Sequence, residues 1–262
     1  MVTVTRHTGQ GGSRYYLVEG DPSVEGIRLP SVTTATGVLD KPALVGWAER
    51  MGIEACVEFL KDSAPTSSDY TDASCIKLSE TYLDSVREAT KGATRRIKED
   101  AADIGTETHA IIESILNSEL GIVVPDHLKS TVDSFTNWYN QSGIVAIELT
   151  ESMVYSAEYK YAGTIDVVAT MSDGSTAIID WKTSNGLYKE TSLQLAAYGQ
   201  AYAEQFGKTF TDLKLLAVRL GKNYPAFEVK EVTNHKECLD GFIACQGIRD
   251  WIVAMRETEW KK

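Results

Sequence analysis

YAGTIDVVATMSDGSTAIIDWK, residues Tyr161 to Lys182, decides the fold. Thr164 to Met171 and Thr176 to Lys182 are rich in β-branched and apolar residues and have the length of strands. Ser172-Asp173-Gly174-Ser175 between them is a hairpin turn. The hairpin sets Asp166 beside the strand that carries Asp180 and Lys182. Alternate side chains of a strand share a face, so Asp180 and Lys182 point one way and Ile179 and Trp181 the other. An ordinary edge-strand ion pair would account for Asp180 and Lys182 taken alone. Charges closing the apolar run Ala177-Ile178-Ile179 are costly unless exposed or employed, and Gly163-x-x-Asp166 at hairpin distance favours employment.

Outward from this hairpin, Ile144 to Leu149 and Met153 to Ser156 read as strands. A helix over Ser192 to Phe206, strands at Leu213 to Leu220 and Phe227 to Val232, and a helix over Cys238 to Met255 follow. Upstream the period is helical. Pro42 to Leu60 repeats Leu44, Trp47, Met51, Ala55 and Phe59, and a long pattern from Ser79 to Leu120 is interrupted near Gly92 or Gly105. Another helix runs from Asp126 to Gln141, ending at Gly143. Arg14 to Val18 and Ile27 to Leu29 read as a small hairpin. Ser31 or Thr34 is the expected cap of a helix opening after Pro30. Ser63 to Ser74, rich in Ser, Thr, Asp and Pro, reads as a loop.

The expected fold class is α/β: a mixed β-sheet core flanked by helices, with a helical N-terminal half. The change of period at Gly143 predicts a division into 1–143 and 144–262.

Two carboxylates and an ammonium on one sheet face suit phosphodiester hydrolysis, which needs a cation on the phosphate and a deprotonated water. Asp166 and Asp180 are the candidate Mg²⁺ ligands, since two carboxylates leave several water positions open. Lys182 is placed to contact the attacking water or to steady developing negative charge. Gln194 and Tyr198, four apart on a helix, share a face and offer an amide and a phenol to a phosphate or base. His109, in Gly105-Thr106-Glu107-Thr108-His109 with Glu113 one turn on, is a candidate further ligand. A lone helical histidine is more often structural.

Arg87, Lys91, Arg95 and Lys98 recur at helical spacing, with Ala102, Gly105 and His109 continuing the face. Two readings stand side by side. The residues are a basic track for phosphates, or a solvated face, because Glu88, Glu99 and Asp100 lie close in sequence. Trp47 and Tyr82 divide between base stacking and core, with core the heavier reading.

The 262 residues carry a net charge of −11, which taken alone argues against a nucleic-acid binder. A phosphate responds mainly to charges within about 8–10 Å, so clustered cations and bound metal can reverse the local sign. Cys56, Cys75, Cys238 and Cys245 have neither zinc-site nor disulfide-framework spacing and read as small hydrophobes. No apolar run approaches the roughly 20 residues of a membrane helix, and the polar start lacks a signal h-region. A cytoplasmic setting is the expectation.

The ordered series Gly-x-x-x-His, Gly-x-x-Asp, Asp-x-Lys and Gln-x-x-x-Tyr resembles that of the RecB-like nucleases of the PD-(D/E)XK type. Gly105 to His109, Gly163 to Asp166, Asp180 to Lys182 and Gln194 to Tyr198 match it piece by piece. Pro30-Ser31-Val32-Thr33, followed by Leu44-Val45-Gly46-Trp47-Ala48, is similar to the N-terminal block of phage exonucleases and mitochondrial genome-maintenance exonucleases. Glu151 sits where such proteins often carry a strand glutamate.

The resemblance implies a restriction-endonuclease-like core in which Asp166 and Asp180 bind Mg²⁺ or Mn²⁺, assisted by the Trp181 carbonyl and by His109. Lys182 would be the catalytic lysine, Gln194 and Tyr198 would help place DNA, and Glu151 would support metal or substrate. An iron–sulfur cluster is not expected, because Cys238 and Cys245 do not supply the family's C-terminal cysteine group. No helicase motif is present, so a helicase or recombination partner would be a separate protein. The implied activity is a metal-dependent exonuclease on single-stranded or end-containing DNA in a phage or bacterial setting. An endonuclease, nickase or CRISPR-adaptation nuclease is the alternative within the class, and a catalytically silent DNA-binding module the alternative outside it.

Overall fold

A computed structural model of the chain describes residues 2–9, 13–39, 42–63 and 80–256. Strands β1 (Thr3–Thr8), β2 (Arg14–Glu19) and β3 (Leu29–Pro30) form an antiparallel three-stranded sheet in that order. The β2–β3 pairing is the expected hairpin. β1 went unread because its Thr/Val alternation is almost wholly polar. Helix α1 (Val32–Thr36) follows, and Ser31 is its cap: the hydroxyl accepts from Thr34 N at 3.0 Å.

Helices α2 (Pro42–Ser63), α3 (Glu80–Thr90), α4 (Ala93–Leu116) and α5 (Lys129–Tyr139) follow. Of the two glycines at which a break was expected, Gly92 makes it, with φ +72°. Gly105 lies inside α4. Of the loop expected over Ser63 to Ser74, Ser63 ends α2, and the rest, with Cys75, lies outside the described residues.

The second sheet holds β4 (Ile144–Ser156), β5 (Tyr161–Met171) and β6 (Thr176–Lys182). After α6 (Lys189–Phe206) come β7 (Lys214–Leu220), β8 (Phe227–Glu231) and α7 (His235–Arg256). Its order is β4-β5-β6-β7-β8, with β7 parallel to β6 and the other pairs antiparallel. A parallel pair needs a crossover, and α6 supplies it. The two strands expected over Ile144 to Ser156 are one strand, kept continuous by two register shifts against β5.

Both faces of this sheet are covered. One carries Ile178, Leu215, Leu195, Tyr202 and Phe242, where α6 and α7 pack. The other carries Val167, Ile179, Val218 and Trp181 against Phe135, Trp138 and Ile112 from α5 and α4. Trp181 is 2% exposed and meets Trp138 and Phe135 edge-on, with ring centroids 4.9 and 5.4 Å apart. This aromatic anchor holds β6 and thereby sends Asp180 and Lys182 to the opposite face. Cys238 and Cys245 are buried as small hydrophobes, while Cys56 is half-buried.

Residues 1–39 with 105–262 form one compact unit and 40–104 a second, a grouping that cuts across the division expected at residue 143. The second unit is helical among its described residues and includes α2 and α3. No helix among the described residues is long and apolar enough to cross a membrane.

Candidate active site

Register builds the site. Val167 pairs with Ile179 across β5 and β6, which sets Asp166 opposite Asp180. On the other side of β5, Thr150 pairs with Val167 and Ser152 with Ile165, so Glu151 lies across from Asp166. Glu151 holds φ +43°, a left-handed conformation uncommon for a residue with a side chain. Such strain costs on the order of 1–3 kcal/mol and persists only where the surroundings impose it. From α4, His109 Nδ1 comes within 3.5 Å of Asp166 Oδ1 and 3.6 Å of Glu151 Oε1.

Donor atoms of His109, Glu151 and Asp166 all lie within 4.8 Å of one another. Two hard carboxylate oxygens and one imidazole nitrogen in that space fit a divalent cation. Electrostatics agree. Burial opposes charge on His109, yet Asp166, Glu151 and Asp180 outweigh it and hold the imidazole up to about 10. Glu113, next along the helix face, is raised by burial and by repulsion from Glu151 and Glu119. The cluster is a place that favours positive charge.

A second group of contacts adjoins it. Lys182 Nζ lies 2.6 Å from Asp180 Oδ2 and donates to Gln194 Oε1 at 3.1 Å. Gln194 Nε2 donates to Asp180 Oδ1 at 3.1 Å and to the Tyr198 hydroxyl at 2.9 Å. The Trp181 backbone N–H donates to Asp166 Oδ2 at 2.8 Å. Asp180 is 2% exposed, and burial raises its carboxyl, with the like charge of Asp166 adding to this against Lys182 and His109. Lys182 is likewise raised: burial works against its charge, but Asp180 and Asp166 prevail. The lysine is therefore a fixed ammonium.

Thus His109, Glu151, Asp166, Asp180, Lys182 and Gln194 are brought together. Trp181 enters through its amide, bonded to Asp166. Tyr198 is buried behind Gln194, at 5% exposure. A Cβ on Gly163 would run into the Tyr198 ring edge and come within 3.2 Å of Val32 Cγ2. The motif glycine is the space that the motif tyrosine occupies, a relation that motif order alone does not disclose. Tyr16, on β2, adds a hydroxyl bond to Thr164 at 3.1 Å, tying the small sheet to β5.

The basic residues lie elsewhere in the chain's division. Arg87 pairs with Asp84 at 2.7 Å, Lys91 with Glu88 at 3.1 Å and Arg95 with Glu99 at 3.6 Å, all strongly exposed. Such pairs are worth little and leave the cations open to exchange. They and Lys98 belong to the unit of residues 40–104. Trp47 there is half-buried, and the Tyr82 side chain lies outside the described residues.

A mixed sheet with one parallel crossover, an acid–acid–lysine set on its adjacent central strands and a helical histidine above them define a phosphodiester-cleaving class of enzyme. The chain belongs to the PD-(D/E)XK nuclease superfamily, whose family model matches residues 126–259. Members of that superfamily are divalent-metal-dependent phosphodiesterases, in keeping with the carboxylate cluster. A solved structure of a "Putative exonuclease" from Eubacterium rectale is similar at 11% identity and a TM-score of 0.39. That similarity covers 62% of this chain and 76% of the other. No curated protein matches the sequence.

Proposed function

We propose that this protein is a Mg²⁺-dependent deoxyribonuclease, with Mn²⁺ able to substitute, that acts as an exonuclease on single-stranded or end-containing DNA. The observation that carries the reading is the meeting of His109, Glu151 and Asp166 beside the Asp180–Lys182 pair. His109, Glu151 and Asp166 would hold the metal, with Asp180 and the Trp181 carbonyl at its margin. The bound cation would supply charge neutralisation at the scissile phosphate and a water of lowered pKa.

The remaining work falls to the chain. Lys182, held charged, steadies the negative charge that develops on the phosphate oxygens, or orients the attacking water. Asp180 and Gln194 fix the ammonium from two sides, so no reorganisation is needed at the moment of attack. Gln194 and Tyr198 help place the DNA from a fixed position, the Gln194 amide being bonded to Lys182, Asp180 and Tyr198. Arg87, Lys91, Arg95 and Lys98 are proposed as exchangeable phosphate contacts in the helical unit. A cytoplasmic role in phage or bacterial recombination, repair or replication, with a helicase or recombination partner, fits this activity.

The test is degradation of end-labelled single- and double-stranded DNA with Mg²⁺, Mn²⁺ or EDTA by wild type and Asp180→Ala. Metal-dependent loss of label in wild type alone is expected, and equal activity in both proteins refutes the site. A closed single-stranded circle added to the series stays intact if an end is required.

A further inference from the structure

Beyond the scissile position, the sheet face next to Lys182 carries an unassigned cation. β6 and β7 run parallel in register, with Asp180 beside Ala217 and Lys182 beside Arg219. Arg219 therefore stands on the face of Lys182, one strand spacing away, about 4.8 Å at the backbone. Across β8, Arg219 faces Glu228 and Ala217 faces Lys230. Two cations share one carboxylate: Arg219 Nε lies 3.1 Å from Glu228 Oε2, and Lys230 Nζ 3.2 Å from Glu228 Oε1.

The arginine is unusual in its bonding. Its side chain is only 22% exposed. Among the described residues its one hydrogen bond uses Nε, and the two terminal nitrogens find no protein acceptor. The terminal nitrogens of the guanidinium fork are thus left to solvent and open to an incoming acceptor. That fork matches a phosphate bidentately, which an ammonium does not. Glu228 takes the inner nitrogen and so fixes the direction of the outer two.

We infer that Arg219 forms a second phosphate subsite, holding a backbone phosphate of the nucleic acid next to the one at Lys182, with Glu228 as its aiming and competing partner. The subsite rests on the nuclease reading above and gives the strand a direction across the sheet, from β6 toward β8. It adds positive charge where the chain as a whole is acidic.

Steady-state cleavage of a short single-stranded oligonucleotide tests it, with DNA binding in EDTA followed by anisotropy over a salt series. Arg219→Ala is expected to raise KM about tenfold, the scale of one lost charge-assisted bond, and to leave kcat nearly unchanged. The slope of log K against log salt should fall by about 0.7 for one single-strand phosphate contact. Arg219→Lys should restore the slope but only part of KM, because charge returns without the fork. Glu228→Gln should move the other way, lowering KM by freeing the arginine. An unchanged KM in Arg219→Ala, or a rise in KM in Glu228→Gln matching that of Arg219→Ala, overturns the subsite, the latter by showing the pair to be purely structural. If Asp180→Ala is inactive in the same assay, the nuclease reading survives that outcome. Wild type without metal-dependent cleavage removes both.

Discussion

Gly163 on β5 and Tyr198 on α6 occupy one space: a side-chain carbon at position 163 would meet the tyrosine ring. Tyr198 in turn accepts a hydrogen bond from Gln194, which holds both Asp180 and Lys182. Two residues of separate motifs thus form one mechanical element behind the site. Gly163→Ala should cost about 1–3 kcal/mol by overpacking. Most of that cost should vanish in a Tyr198→Leu background, a non-additivity readable from urea unfolding of the four proteins. Additive losses would mean that the two residues do not touch.

Under the proposed reading Lys182 acts as a charge and Asp166 as a metal ligand, so their substitutions should separate. Lys182→Met is expected to lower kcat by about 10²–10³ while Mn²⁺ binding is retained. A variant that loses metal along with activity would place Lys182 in the structural support of the cluster instead.

Trp181 supplies the anchor that aims its neighbours. Trp181→Ala should destabilise the protein by about 3–5 kcal/mol, measured as a shift of the denaturant midpoint, because Trp138 and Phe135 lose their packing partner. A loss within about 0.5 kcal/mol, the range of surface substitutions, would contradict the anchor.

Alkaline stability should report the tie between the small sheet's turn and β4. The Tyr155 hydroxyl donates to Asp21 Oδ2 at 2.8 Å, and burial, with Asp21 and then Glu204, pushes the phenol up to about 12. The folded state keeps the proton more tightly than the unfolded chain. This contribution is therefore fully present below the ordinary tyrosine value of 10.0 and is lost as pH rises through about 12. Wild type should lose its stability advantage over Tyr155→Phe across that window, followed by urea midpoints. A difference independent of pH would show that the hydroxyl bond is not its source.

Much of this architecture is legible in the chain because the signals are local. The Asp173-Gly174 turn fixes the β5–β6 register, so the placing of Asp166 against Asp180 follows from counting. Trp181 and Lys182 alternate by the period of a strand. What the sequence reading does not reach is the third strand: Glu151 falls in the gap between the two pieces read from sequence, which are one strand. Its register against Asp166 is unbroken from the Ser156–Tyr161 turn, the shifts lying nearer the start of β4, and φ +43° at position 151 is the feature no spacing announces. Arg219 also escaped, since the β6–β7 pairing is made through a helix and no turn sets its register. Tyr198 shares a helix face with Gln194 as the spacing implies, but depth differs along that face. Only packing against Gly163 shows which of the two residues is inside.

Calorimetric titration of Mn²⁺ into the metal-free protein addresses the convergence of three elements most directly. Wild type should bind with a defined stoichiometry, and Asp166→Asn and Glu151→Gln should each weaken binding severely. Arg95→Ala, remote in sequence and exposed, should match wild type. Identical isotherms for wild type and Asp166→Asn would contradict the account, because the β5 carboxylate would then hold no ion.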